Sequence, residues 1–217
     1  MGDIFQEVDE ELRKDRFEKL WKEYGRYAVG TAVAVVVAAG AWKGWEFYSS
    51  SQRLSASQQY EVAGRLLSEG KKTDARALFS GLKQEGYGQY KTLAAFRNAA
   101  LLGNDGDIAG AVAAYAKISG DSSTSKMFRD AATLFSVMYR MDQSGADAAA
   151  LLQELAPLRD AEGAWRFSAG EMAGLLEIRM GDLTAARKTF QALADDLNAP
   201  EGLRGRATQI LAVIGQS

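Results

Sequence analysis

Apolar positions follow three regimes along the chain. In the first 26 residues Phe5, Val8, Leu12, Phe17, Leu20, Trp21 and Tyr24 recur mostly at three- and four-residue spacing, with Asp3 as a candidate N-cap. That spacing predicts an amphipathic helix, suited either to docking a partner or to lying on a membrane surface. Sixteen uncharged residues follow, Tyr27 to Trp42, dominated by Ala, Val and Gly. Beyond residue 49 the helical spacing returns, interrupted by short polar turns. With only 2 prolines against 22 glycines and many alanines, the chain is expected to be all-α.

The uncharged run is read as a transmembrane anchor. Sixteen helical residues rise roughly 24 Å, short of the roughly 30 Å hydrocarbon core, whereas extension to Tyr48 gives about 33 Å. Lys43 is the only cation inside that longer span, and it can snorkel toward the headgroups. Trp42, Trp45, Phe47 and Tyr48 supply aromatic anchors at one interface, Trp21, Tyr24 and Tyr27 at the other. The five valines contribute only roughly −1.5 to −3 kcal/mol to insertion, so the span leans on its flanks. Three other readings compete. A buried core helix needs no paired aromatic belts, and an interfacial helix needs one charged face. A signal peptide, formally matched by Ala39-Gly40-Ala41, conflicts with eight acids before the span. Gly30, Ala34 and Ala38 fall four apart, as do Gly40 and Gly44, a spacing that lets a second helix approach closely.

Lys and Arg decide orientation. Arg13, Lys14, Arg16, Lys19, Lys22 and Arg26 precede the span, while residues 43 to 60 hold only Lys43 and Arg53. The expected arrangement is residues 1–26 in the cytoplasm, 27–48 in the membrane as a single pass, and 49–217 on the far side; in a Gram-negative bacterial cell these are the inner membrane and the periplasm. Met-Gly at the start does not make a myristoylation site, since Gln6 stands where Ser or Thr is needed.

The distal part repeats. Gly70, Gly106, Gln143 and Gly181 align at intervals of 36, 37 and 38 residues. Five residues on stand Ala75, Ala111, Ala148 and Ala186; nine on stand Phe79, Tyr115, Leu152 and Phe190; twelve on stand Leu82, Ile118, Leu155 and Leu193. Seven back stand Ala63, Ala99, Ser136 and Gly174, always small. This is a helix-turn-helix unit with small residues at the crossing, and such units bury their apolar faces only by stacking. Residues from Pro200 to Ile214 read as a capping helix, with Leu203, Ala207, Ile210, Leu211 and Ile214 on one face. Ser119 to Ser125 is the most polar connection and is expected to be the most mobile.

Those positions resemble the tetratricopeptide repeat over roughly residues 55 to 197. The resemblance is degenerate: the period exceeds 34, the closing proline is missing in all four units, and the tryptophan position of the first helix holds Gln59, Ala95, Ala132 and Gly170. The fold implied is an α-solenoid of about four degenerate helix pairs with a C-terminal capping helix.

Composition removes most chemistry. With no histidine and no cysteine there is no Ser-His-Asp triad, thiol nucleophile, zinc finger, thiolate cluster or disulfide framework. No cofactor and no metal are expected. From Ser49 onward 19 Lys plus Arg balance 19 Asp plus Glu, so nothing draws the domain to nucleic acid. An enzyme remains conceivable only through carboxylates, as in solenoid-associated cell-wall lytic enzymes, yet their Glu-Ser dipeptide is absent. Glu171 with Arg166 and Arg179 is the one cluster to examine, and an ion pair accounts for it.

The order of parts, the span ending Gly44-Trp45-Glu46-Phe47-Tyr48-Ser49-Ser50-Ser51-Gln52 and the opening IFQEVDEELRKDRFEKLWKEYGRY resemble the YfgM-like ancillary subunits of the Sec translocon, in their alphaproteobacterial branch. That resemblance implies a periplasm-facing scaffold in protein export, a member of a chaperone network, associated with the SecYEG translocon and a PpiD-like periplasmic chaperone. Its contacts are protein and membrane lipid, with no nucleic acid and no small-molecule substrate. A cell-division or envelope-coordination adaptor of the same architecture is the alternative function, and a carboxylate-dependent cell-wall enzyme the remote one. In repeats of this kind the first helix of each pair lines a concave groove, which places Tyr60, Phe96, Arg140, Glu171 and Arg179 near it. Trp165 and Arg166, beside Phe167, are further candidates because Trp and Arg dominate binding hot spots. A clamp for a terminal carboxylate, which needs Lys and Asn where Tyr60 and Gly64 stand, is not supported.

The register makes a stability prediction. Ala111→Trp and Ala186→Trp, which overpack two crossings, are expected to destabilise by about 1–3 kcal/mol or more in thermal unfolding, against under about 0.5 for surface changes. Unchanged melting would refute the register.

Overall fold

The computed structural model describes residues 3–215, and all regular structure among them is helical. The α-helices are α1 Asp3–Ser68, α2 Lys72–Glu85, α3 Gln89–Asn104, α4 Ile108–Ser119, α5 Lys126–Met141, α6 Ala148–Leu155, α7 Arg166–Arg179, α8 Leu183–Asp195 and α9 Glu201–Ile214. A 3-10 helix, Ala156–Arg159, follows α6. The chain divides into two compact units, the first running to Ser55 and the second starting at Ala56.

In the first unit α1 contains a segment long and apolar enough to cross a membrane, with a mean hydropathy of 1.3. The candidate N-cap Asp3 and the apolar side chains Phe5, Val8, Leu12 and Phe17 lie outside the described residues or side chains, as do Arg13 and Arg16. Val29, Val33, Val36 and Val37 are exposed, as are Trp42, Trp45 and Phe47. Within its own unit this segment is not a buried core helix. Lys43 donates to Glu46 Oε2 at 2.8 Å, one helical turn on, so the single cation between residues 27 and 48 has its counter-charge beside it. Gly30, Ala34, Ala38, Gly40 and Gly44 are exposed, and a Cβ added at any of the three glycines meets nothing within 4 Å.

The second unit is a stack of helix pairs: the end of α1 with α2, α3 with α4, α5 with α6, and α7 with α8, closed by α9. Three of the four intra-pair turns are built alike. Gly70, Gly106 and Gly181 take φ of 78°, 88° and 79°, the left-handed conformation that favours glycine. Each glycine N–H donates three residues back, and the next residue's N–H donates five back, at 2.9–3.1 Å (Lys71 to Leu66 O, Asp107 to Leu102 O, Asp182 to Glu177 O). That pattern closes the orphan carbonyls of the first helix. The residue after the glycine then starts the second helix; Asp107 and Asp182 accept from Gly110 N and Ala185 N, both at 2.9 Å.

Counted from that cap, the buried positions are four, eight and eleven residues on. Ala75, Phe79 and Leu82 are at most 2% exposed; Ala111, Tyr115 and Ile118, and Ala186, Phe190 and Leu193, repeat the arrangement. The small residues of the first helices, Ala63, Ala99, Ser136 and Gly174, are all buried. Gly174 shows why size matters there: a Cβ on it would stand 2.6 Å from the Phe190 ring.

The third pair corrects the sequence register. Gln143 does not hold the turn; Gly145 does, with φ 83°, and Asp147 is the cap, accepting from Ala150 N at 3.0 Å. Three extra residues therefore separate Ser136 from the cap. The buried set becomes Leu151 (4%), Leu155 (0%) and Leu158 (5%), whereas Ala148 sits at 9% and Leu152 is only half-buried. Caps at Lys71, Asp107, Asp147 and Asp182 are spaced 36, 40 and 35 residues apart. Pro157 offers no N–H to continue the α-helical ladder, and the tighter 3-10 turn carries Leu158 into the core instead.

The capping helix forms as expected, with Leu203, Ala207 and Ile214 buried and Ile210 and Leu211 partly so. Pro200 stands at its N-cap, one position before the expected first turn. Arg187 of α8 donates to Ile214 O at 2.5 Å, filling one of the open carbonyls at its end. The Ser119–Ser125 connection, expected to be mobile, is knitted by Asp121, which accepts from Ser123 N at 2.9 Å, Ser123 Oγ at 2.7 Å and Thr124 Oγ1 at 3.2 Å.

Leu151→Ala and Leu158→Ala should each cost about 2–5 kcal/mol in denaturant unfolding, and Leu152→Ala clearly less. An equal cost at Leu152 and Leu151 would restore Gln143 to the turn.

Candidate partner-binding groove

The first helices of successive pairs present more apolar surface than the core absorbs. In α5, Ala131, Leu134, Val137 and Met141 are buried, yet Phe128, Phe135, Met138 and Tyr139 fall on further positions of the same helix. In α3, Leu93, Phe96, Arg97 and Ala100 recur at three- and four-residue steps on one face. With Tyr60 of α1, Tyr115 of α4 and Trp165 before α7, these residues line one groove of about 410 Å³.

Its walls are aromatic and mutually supported. Phe96 lies 5.6 Å from Tyr115 and 6.0 Å from both Phe128 and Phe135, ring centroid to centroid. Tyr115 stacks on Phe135 at 5.6 Å and on Tyr139 at 5.9 Å. Tyr60 meets Phe79 edge-on at 5.4 Å and Tyr90 at 5.9 Å. Such arrangements, edge-to-face or offset, fix rings beyond their area burial. Arg97 is the one charged side chain in the lining, and its Nε donates to the Tyr60 hydroxyl at 3.0 Å. Trp165 Nε1 donates to Met127 O at 2.8 Å, which pins the indole to the start of α5. The pKa of the Tyr115 phenol is pushed up to about 12, chiefly by burial, with Tyr139 adding and Arg97 opposing, so this side chain is neutral at physiological pH.

Of the residues singled out from sequence, Tyr60, Phe96 and Trp165 come together in this groove. The others do not. Arg140 turns to α6, where its guanidinium forms a two-pronged pair with Glu154, and it borders a smaller cavity of about 250 Å³ beside the α5–α6 turn. Arg166 lies over its own neighbour Phe167, 4.1 Å from the ring centroid. Glu171 accepts from Arg206 Nε at 2.6 Å and NH2 at 2.8 Å, which raises the pKa of that guanidinium, its hydrogen bond to Glu171 first. The partner of Glu171 is thus on the capping helix and is neither Arg166 nor Arg179; Arg179 faces Asp142 at 3.7 Å. Sequence reasoning missed Arg97, Phe128, Phe135 and Tyr139. The signal was present in α5, where apolar residues occupy more than one face of the helix.

Stacked helix pairs with small crossing residues, glycine turns and a groove walled chiefly by α3 and α5 define a helical-repeat protein of the protein-binding kind. The pattern described as the tetratricopeptide repeat-like domain matches residues 18–211, and the chain belongs to that family. The match takes in the apolar segment of α1 as well as all four pairs. Neither a curated protein nor a solved structure matches the chain.

Proposed function

We propose that the protein is a single-pass inner-membrane scaffold without enzymatic activity, whose repeat domain holds an apolar segment of a protein partner in the aromatic groove. The observation that carries this reading is the groove itself: three stacked repeats supply seven aromatic residues and a single charge. Large apolar side chains entering it gain ring contacts and shed water, and a chain rich in acids or bases gains little. Membership of a repeat family that typically binds proteins supports the same conclusion.

The finer assignment follows the resemblance to the YfgM-like subunits. Residues 27–48 span the membrane, 1–26 are cytoplasmic and 49–217 are periplasmic. The partners are the SecYEG translocon and a PpiD-like periplasmic chaperone, in the service of protein export. The Lys and Arg asymmetry about the span supports the orientation. The small-residue stripe Gly30, Ala34, Ala38, with Gly40 and Gly44, is the face on which another membrane helix packs. Tyr60, Phe96 and Trp165 are the anchors that a partner meets, with Arg140, Arg166, Glu171 and Arg179 outside the groove.

The test is crosslinking and pull-down of the full chain from native membranes, beside a reporter active only outside the cytoplasm fused after Ser217. Translocon subunits and the chaperone should be recovered, and the reporter should be active. Phe96→Ala with Phe135→Ala should reduce recovery of the groove partner at least about tenfold, the loss of a hot spot of roughly 2 kcal/mol. Recovery of neither partner, or activity only for a fusion at the N-terminus, would overturn the assignment.

A further inference from the structure

A second cavity, of about 310 Å³, lies on another part of the repeat domain. Three lysines line it: Lys83 from α2, Lys91 from α3 and Lys117 from α4. The helix α3 separates it from the aromatic groove. Lys91 and Phe96 are five residues apart, which sets them about 140° apart around the helix axis. Lys83 and Lys117 stand in the last turns of their helices, where a cation complements the helix dipole. Lys91 stands in the first turn of α3, where the dipole gives it no such support.

Asp121 is the one acidic side chain of the lining. Its carboxylate is on the cavity wall, pinned by Ser123 N, Ser123 Oγ and Thr124 Oγ1, and it interacts electrostatically with Lys91. Thr124 is itself buried, and the Arg129 guanidinium donates to its carbonyl, so the wall is fixed. Three lysines thus face a single carboxylate of the chain's own. Among the described residues no hydrogen bond or ion pair engages the ammonium groups of Lys83 and Lys117. The lining therefore carries an excess of two cations in a domain whose charges balance overall.

We propose that this cavity docks an acidic segment of a protein partner, two of whose carboxylates pair with Lys83 and Lys117. The fixed Asp121 carboxylate selects this chemistry. Two carboxylates spread along a peptide can each meet one lysine and stand clear of Asp121, whereas a phosphate concentrates its charge at one point and meets the full repulsion. This site is separate from the aromatic groove and does not depend on what the groove binds.

The experiment uses the full chain in uncharged maltoside micelles and a fluorescein-labelled octapeptide of alternating glutamate and serine, read by anisotropy. Saturable binding is expected, weakened at least about tenfold when glutamine replaces glutamate, and falling as salt rises. Lys83→Ala with Lys117→Ala should weaken it at least about fivefold, and Phe96→Ala should leave it within about twofold, which separates this site from the groove. Lys83→Arg with Lys117→Arg should bind within about twofold of wild type, so that a loss from misfolding is distinguished from a loss of charge. Absence of saturable binding overturns the proposal, as does binding indifferent to both lysines. Lysine-dependent binding of inorganic phosphate or of phosphatidylglycerol vesicles, without binding of the peptide, also overturns it.

Discussion

The close approach of two helices at a small residue is the constraint on which the repeat domain depends. Ala63, Ala99, Ser136 and Gly174 leave room on the first helix of each pair for the second helix to bring in a large side chain. At Gly174 the space is already filled by the Phe190 ring, so not even a methyl group fits without displacement. Each pair taken alone buries only one side of its helices. Stacking completes the burial, and α9 closes the last exposed face with Leu203, Ala207 and Ile214. Because small residues set the crossing distance, the large rings of α3 and α5 cannot all enter the core. They are displaced onto the side where the first helices run next to one another, and there they make the groove.

The parts of the fold legible in the sequence were those governed by local steric rules. Glycine at a left-handed turn, a small residue at a crossing and an apolar residue two turns later are visible at Gly70, Gly106 and Gly181 without any knowledge of partners. The third pair was misread because equal spacing was imposed on it. Gln143 fits a 37-residue period, but only Gly145 can take a φ of 83° at low cost, and Asp147 then caps the helix. Long charged side chains were the least legible. Glu171 pairs with Arg206, 35 residues away, and Arg140 with Glu154 across a turn. Which of several arginines a carboxylate meets is decided by how helices cross, and one-dimensional spacing does not contain that. Tyr60, Phe96 and Trp165 do line one groove, the first two on the first helices from which the repeat pattern led them to be chosen.

Surface charge plays a different part from packing. Arg76 and Lys72 of α2 meet Asp105 at the end of α3, Arg140 of α5 meets Glu154 of α6, and Glu171 of α7 meets Arg206 of α9. These pairs are partly exposed, so each contributes little net stability, on the order of 0–1 kcal/mol. Their effect is to remove charge from the seams between helices. Arg97 is used differently: held by the Tyr60 hydroxyl, it spans α1 and α3 at the rim of an otherwise uncharged groove. There it offers one point of polar recognition without the repulsion a carboxylate would bring.

The helix α3 carries two opposed kinds of surface. Phe96 on one side belongs to the ring cluster with Tyr115, Phe128 and Phe135, and Lys91, about 140° around, belongs to the lysine cavity. An apolar segment in the groove and an acidic one in the cavity need not compete, since neither site shares a lining residue with the other. Two such contacts from one partner would act at high effective concentration, so that individually weak contacts bind together far more tightly than either alone. A neutral repeat domain has no long-range field with which to collect partners. On the two proposals together, selectivity would rest on a partner matching both surfaces at once, the aromatic one on one side of α3 and the lysine-lined one on the other, which a generic hydrophobic or generic acidic chain does not do.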